Sequence, residues 1–261
     1  MNLIEDFKII RPVEHDARNY EEARRIVVET FKGINEVSSI YEFGKLNNPG
    51  ISDLDLIFVF RDNISTKNIG LIFESLKLPQ WIESLLCGST LMVFKETDFE
   101  KVLIWDDLIV NRLYGNEIIL EDVGDDRYNR NIAQIMDWLP ERLLSLQRLL
   151  ELKEIPIIRC LGLLHSLNYS LKKSIEIGII DKKNTKAFEE HFEKVKNIRE
   201  NFFLASDEEV KIIISDLLYN SFKLGKDAIE KANHWLSIEN NYYSGPNDPC
   251  GIFLLSENHG F

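Results

Sequence analysis

The spacing of hydrophobic and polar positions changes once along the chain, near residue 120. Before that point, short β-branched and aromatic runs alternate with stretches whose apolar residues recur three and four positions apart, as strands and helices require. The strand-like runs are 7–10, 37–43, 54–60, 89–94 and 117–120. The helical stretches are 16–31, 66–76 and 79–86. This pattern predicts a mixed α/β domain.

Beyond residues 124–127, every long segment has helical spacing. One predicted helix runs through 132–150, with Pro140 as a kink or a start. Three more are predicted over 155–177, 184–203 and 207–236. Ser206 and Glu209 have the spacing of a capping box at the start of the last one. Short connections make neighbouring helices antiparallel, so this half is predicted to be a helical bundle.

Together these patterns predict an α+β (mixed α/β) chain of two domains and a tail. Residues 1–124 are predicted to form the α/β domain with a mixed sheet, 125–240 the all-α helical bundle domain, and 241–261 a C-terminal tail rich in turn residues. The apolar stripe of the last helix is predicted to be core. Helices of such a bundle can also form a dimer face, which leaves a homodimer open.

Composition narrows the expected location and partners. The chain has 31 Lys and Arg against 43 Asp and Glu, a formal net charge of −12. A nucleic-acid partner is therefore disfavoured, because gripping a phosphate backbone needs clustered cations. No apolar run reaches the roughly 18 residues of a membrane span, and the N-terminus lacks the features of a secretion signal. With three widely spaced cysteines, these features predict a cytoplasmic protein without a membrane partner.

The candidate metal-binding and nucleotide-binding residues lie between Gly44 and Phe60. Asp53 and Asp55 open an apolar run, and in a strand residues two apart point to the same face, roughly 7 Å apart. Two neighbouring carboxylates repel each other, and a shared Mg²⁺ is the cation that would neutralise them. Gly44 would let backbone N–H groups approach a triphosphate, while Lys45 and Ser52 could add an ammonium and a hydroxyl donor.

These residues resemble the signature of the nucleotidyltransferase superfamily, of the DNA polymerase beta-like and minimal nucleotidyltransferase type. Its pattern is an apolar residue, Gly, then Gly or Ser, a gap, and an apolar-flanked Asp-x-Asp, which Gly44, Asp53 and Asp55 match. The form Gly-x-Ser-Asp-x-Asp, here residues 50–55, is frequent in the family. A helical domain after the α/β core, as in aminoglycoside-modifying members, is also common there.

The resemblance implies Mg²⁺-dependent transfer of a nucleoside monophosphate from an NTP, most simply ATP, to a hydroxyl of a small molecule or a protein. It assigns Asp53 and Asp55 to metal binding and catalysis, and Gly44, Lys45 and Ser52 to the nucleotide. Lys45 departs from the pattern because the family has a small residue there. Active members also carry a third carboxylate on a later strand, but the run 89–94 contains no acid. Glu96 and Asp98 lie just beyond this run, Asp106 and Asp107 are less plausibly placed, and Glu96 is taken as the candidate.

A second interpretation comes from a different class. Lys45 and the acid-free run 89–94 are also what a catalytically degenerate nucleotidyltransferase fold would show, if it were retained as a binding or regulatory module. The two hypotheses differ in whether a third carboxylate joins Asp53 and Asp55.

Overall fold

Helices and one mixed sheet make up most of the chain. The structure is a computed structural model, and it describes residues 7–86, 92–101, 110–120 and 127–238. In chain order, the elements are β1 (Lys8–Ile10), α1 (Ala17–Phe31), β2 (Val37–Phe43), β3 (Leu56–Phe60), α2 (Thr66–Ser75), α3 (Gln80–Leu86), β4 (Met92–Lys95), α4 (Glu96–Glu100), β5 (Val110–Gly115), α5 (Arg127–Leu150), β6 (Glu154–Pro156), α6 (Ile157–Glu176), α7 (Lys186–Asn201) and α8 (Asp207–Ile238). The described part of the chain is therefore a mixed α+β protein, as the sequence predicts.

Described residues between 14 and 120 form one compact unit, the α/β unit. Its sheet has the strand order β4-β3-β2-β5, in which β2 is antiparallel to β3 and β5, and β3 is parallel to β4. Helix α1 begins where predicted, because the Asp16 side chain accepts a hydrogen bond from Asn19 N–H and the Asn19 side chain accepts one from Asp16 N–H.

The two faces of this sheet carry separate apolar clusters. The helix-side cluster joins Leu56, Phe58 and Phe60 of β3 to buried residues of α1, α2 and α3. The opposite cluster contains Ile57 and Val59 of β3, and its other buried members are Tyr41, Phe94 and Phe99. All five residues of β3 are buried, since side chains alternate between two covered faces.

The other described residues, 7–13 and 127–238, form a second compact unit, the helical unit. Within it α5 contacts α6 and α8, and α6, α7 and α8 all contact one another. Helix α5 begins at Arg127 and continues through Pro140, so the proline is not its start. The capping box predicted at Ser206 and Glu209 is confirmed: Ser206 N–H donates to Glu209 Oε2 at 2.8 Å and Glu209 N–H to Ser206 Oγ at 3.3 Å.

Two of the predicted strand-like runs have a different structure from the one predicted. Residues 8–10 pair in parallel with 154–156, inside the helical unit. The run 117–120 is not a strand; it follows β5 as irregular chain, and Ile118 and Leu120 pack on the opposite cluster of the sheet. The domain boundaries at residues 124 and 240 stay predictions, and the tail 241–261 lies outside the described residues. None of the helices described is long and apolar enough for a bilayer.

Candidate functional site

The predicted site residues lie on the connection between β2 and β3. Gly44 ends β2 with φ +84°, a left-handed conformation that glycine adopts without steric cost. A Cβ added to Gly44 would meet no atom within 4 Å, so the space beside it is open. Further along, Asn48 C=O accepts hydrogen bonds from the N–H groups of Ile51 (3.1 Å) and Ser52 (2.7 Å), which closes a tight turn before the acidic pair.

Asp53 and Asp55 immediately precede β3, and burial alternates through them. Leu54 is 1% exposed within the helix-side cluster, whereas both aspartates are partly exposed. Side chains alternate along extended chain, so Asp55 is expected on the face of Ile57 and Val59, opposite α1, α2 and α3, and the alternating burial favours the same face for Asp53. The shared face stays a prediction; partly exposed carboxylates are ligands suited to Mg²⁺.

The remaining nucleotide-site residues differ in exposure. Lys45 is exposed and forms no ion pair with any described residue. Ser52 is 8% exposed, and its backbone is held at both ends, since its N–H donates to Asn48 and its C=O accepts from Tyr20. Gly44, Lys45, Ser52 and the aspartates therefore belong to one short connection, as the sequence predicts. Their roles stay predictions.

Helix α1 contacts this connection and the end of β2 before it through two side chains that the sequence reasoning missed. Tyr20, fully buried, donates its hydroxyl to Ser52 C=O (2.5 Å) and accepts from Gly50 N–H (2.9 Å). Arg24 binds Glu42 with two hydrogen bonds, Nε to Oε2 at 3.0 Å and Nη2 to Oε1 at 2.6 Å. Their spacing of four on a predicted helix was a usable signal, but the partners are visible only in the structure.

Glu96, the candidate third carboxylate, lies at the other end of the sheet. In the parallel pairing of β3 and β4, Lys95 is opposite Phe60, five residues beyond Asp55, which corresponds to roughly 17 Å of strand. Glu96 follows Lys95 and accepts a 2.5 Å hydrogen bond from the Ser38 hydroxyl. The structure does not bring Glu96 to Asp53 and Asp55, because the acid follows β4 where both parallel strands end.

Other acids do not complete the site within the described part of the chain. Among those residues, no three His, Cys, Asp or Glu side chains are grouped closely enough to hold a metal ion together. Asp106 and Asp107, the acids that precede β5 in the sequence, lie outside the described residues, as do residues 89–91 of the acid-free run.

Comparison with known proteins identifies no relative of this chain. No family model, curated protein or solved structure matches the chain. The resemblance to nucleotidyltransferases therefore depends on the residues of the β2–β3 connection and on the mixed α+β fold.

Proposed function

We propose that the α/β unit binds a nucleoside triphosphate with Mg²⁺ and transfers its nucleoside monophosphate to a hydroxyl of a small molecule or a protein. The observation that carries the proposal is the β2–β3 connection, which has a left-handed glycine in open space at one end and two partly exposed aspartates on either side of the buried Leu54 at the other. The nucleotidyltransferase layout of the unit is part of this proposal.

Each residue has a distinct role in the proposed site. Asp53 and Asp55 hold the cation, which when bound would neutralise phosphate charge. Gly44 leaves room for a phosphate close to the backbone, and the exposed Lys45 ammonium supplies positive charge beside it. Ser52 keeps the turn before Asp53 in place through its backbone bonds.

The proposed reaction is an in-line displacement. The acceptor hydroxyl oxygen forms a bond to the α-phosphorus, the bond from that phosphorus to the bridging oxygen breaks, and pyrophosphate leaves. The hydroxyl proton passes to a general base or to water. Glu96 has no part in this step because of its distance from Asp53 and Asp55 along the sheet.

A second function is favoured by that same position of Glu96. A site with two carboxylates can hold a metal–nucleotide complex while giving the attacking hydroxyl no base. The α/β unit would then be a nucleotide-binding or regulatory module that does not transfer. Binding and transfer must therefore be measured separately.

Binding is tested by isothermal titration calorimetry with ATP or GTP in the presence and absence of Mg²⁺. Wild-type protein is expected to bind with Mg²⁺, and Asp53→Asn/Asp55→Asn is expected to lose binding because no carboxylate pair remains. The matched control is Glu36→Gln/Glu74→Gln, which removes the same charge from two exposed acids of the same unit. Absent binding in the wild type, or equal binding in the aspartate variant, would contradict the proposal.

Transfer is tested with NTPs labelled at the α-phosphate and a metabolite and protein extract. Label appearing in an acceptor, with release of pyrophosphate and loss of both in Asp53→Asn/Asp55→Asn, supports the transferase. Binding without transfer to any acceptor supports the binding module. Asn substitution of Asp106 and Asp107 in the same assay asks whether either acid is required.

A further inference from the structure

Two residues of α1 hold the connection on which the proposed site depends. Tyr20 is 0% exposed, and its hydroxyl uses both its donor and its acceptor capacity on the backbone of residues 50 and 52. Neither Gly50 nor Ser52 belongs to a helix or strand. A buried hydroxyl with these two backbone partners favours one position of the turn, because losing either hydrogen bond costs free energy.

Arg24 acts on the end of strand β2, just before the same connection. Its guanidinium makes a two-point contact with Glu42, two residues before Gly44, and both side chains are mostly buried, 21% and 13% exposed. Two parallel hydrogen bonds set the orientation of the pair as well as its distance. Glu42 is on β2 opposite Leu56 of β3. The Arg24–Glu42 contact is therefore made at the end of the paired strands, next to the connection that joins them.

Tyr20 and Arg24 are four residues apart on α1 and therefore lie on one face of that helix. We propose that they are positioning residues: Tyr20 holds the turn at residues 50–52, Arg24 holds the end of β2 just before Gly44, and together they set the placement of the nucleotide and metal residues. This inference rests on the proposed function for its consequence, which is tighter binding of the Mg²⁺–nucleotide complex. An untethered connection would have to be ordered at the moment of binding, at a cost in affinity.

The chain offers matched controls for both residues. Tyr41 is 5% exposed and makes the same pair of bonds, donating to Asn116 C=O (3.0 Å) and accepting from Ile118 N–H (2.9 Å), on a different connection. Arg25, next to Arg24, contacts Glu22 with the same two distances, 3.0 and 2.6 Å, at the exposed surface of α1. Tyr41→Phe and Arg25→Gln therefore repeat the chemical change without touching the Gly44–Asp55 connection.

The first experiment uses the full chain without nucleotide. Amide hydrogen exchange of residues 44–55 is measured in the wild type, Tyr20→Phe, Arg24→Gln and the two controls. We expect exchange in 44–55 to rise in Tyr20→Phe and Arg24→Gln and to stay at the wild-type rate in Tyr41→Phe and Arg25→Gln. Unchanged exchange in both α1 variants overturns the inference. If Tyr20→Phe does not fold, the inference is decided by comparing the exchange of residues 44–55 in Arg24→Gln with that in Arg25→Gln.

The second experiment titrates the folded variants with Mg²⁺–ATP, well below their unfolding temperatures. We expect about tenfold weaker binding in Tyr20→Phe and Arg24→Gln, and wild-type binding in the controls even if thermal unfolding shows equal destabilisation. Equal affinity across all four variants overturns the role in binding. A wild type that binds no nucleotide overturns the proposed function and this role together, while the exchange result still decides whether α1 holds the connection.

Discussion

Two glycines with the same left-handed backbone conformation differ in how much space surrounds them. Gly44 and Gly115 both have φ +84°, a conformation that costs other residues roughly 1–2 kcal/mol. A Cβ on Gly44 would meet open space, whereas one on Gly115 would lie 1.9 Å from Ser38 O and 2.8 Å from Ser39 Cα. Backbone cannot move aside as a flexible side chain can, so Gly115 keeps β5 against β2.

We therefore expect Gly44→Ala to lower the free energy of unfolding by about 1–2 kcal/mol, the conformational cost alone. Gly115→Ala should cost clearly more, since β2 and β5 must separate locally to admit the methyl group. Urea unfolding of the two variants and the wild type, followed by circular dichroism, measures the difference. Equal losses in the two variants would mean that the close approach of Gly115 to β2 does not exist.

At the scale of elements, α7 and α8 are joined by a buried polar contact. His191 of α7 is 2% exposed, with Nε2 lying 3.2 Å from Ser221 Oγ of α8 and Nδ1 buried without a hydrogen-bond partner among the described residues. Burial lowers the pKa of His191 from 6.5 to about 4; the nearby Lys194 adds to this effect and Asp216 opposes it. The imidazole is therefore neutral in the folded protein at neutral pH.

This contact predicts how stability depends on pH. Between pH 6.5 and about 4, the unfolded chain binds a proton at His191 that the folded chain does not, so stability falls as the pH is lowered. From pH 7.5 to 5 the loss from this group is ~2 kcal/mol. Urea unfolding at both pH values should show a smaller loss in His191→Gln, which cannot titrate.

The control is Ser221→Ala, which removes the hydroxyl but keeps the imidazole. It should be less stable at both pH values while showing the wild-type difference between them. If His191→Gln retains that full difference, the pH dependence does not come from His191.

Elements with a strong internal pattern were predictable from the sequence. Strand β2 was predicted at 37–43 and is found there, and α1 begins after the predicted residue because Asp16 caps it. The alternation that predicts one shared face for Asp53 and Asp55 is local too. Contacts between distant residues were not predictable. The sequence of the run 7–10 does not indicate that it pairs with 154–156. The position of Glu96 could not be predicted either, because the sequence does not show that β4 is parallel to β3.

The described part of the chain divides into two units that do not follow sequence order. Residues 7–13 belong with 127–238, where Arg11 is one of the side chains that bind them. Its Nε donates to Asp207 Oδ1 (2.6 Å), its Nη2 donates to Ala205 C=O (2.5 Å), and its guanidinium lies 5.0 Å from the centre of the Phe202 ring. One arginine thus joins the segment that begins with β1 to the connection between α7 and α8.

We expect Arg11→Gln to loosen the N-terminal segment from the helical unit and to cost about 1–2 kcal/mol, the sum of an exposed ion pair, a hydrogen bond and a cation–π contact. Amide hydrogen exchange of the full chain should rise in 8–10, in 154–156 and in 202–210, since β1 pairs with β6 and Arg11 with the start of α8. Arg18→Gln makes the same charge change at an exposed pair with Asp16 and should leave these peptides at the wild-type rate. Unchanged exchange in 154–156 and 202–210 of Arg11→Gln would show that the helical unit does not depend on its N-terminal strand.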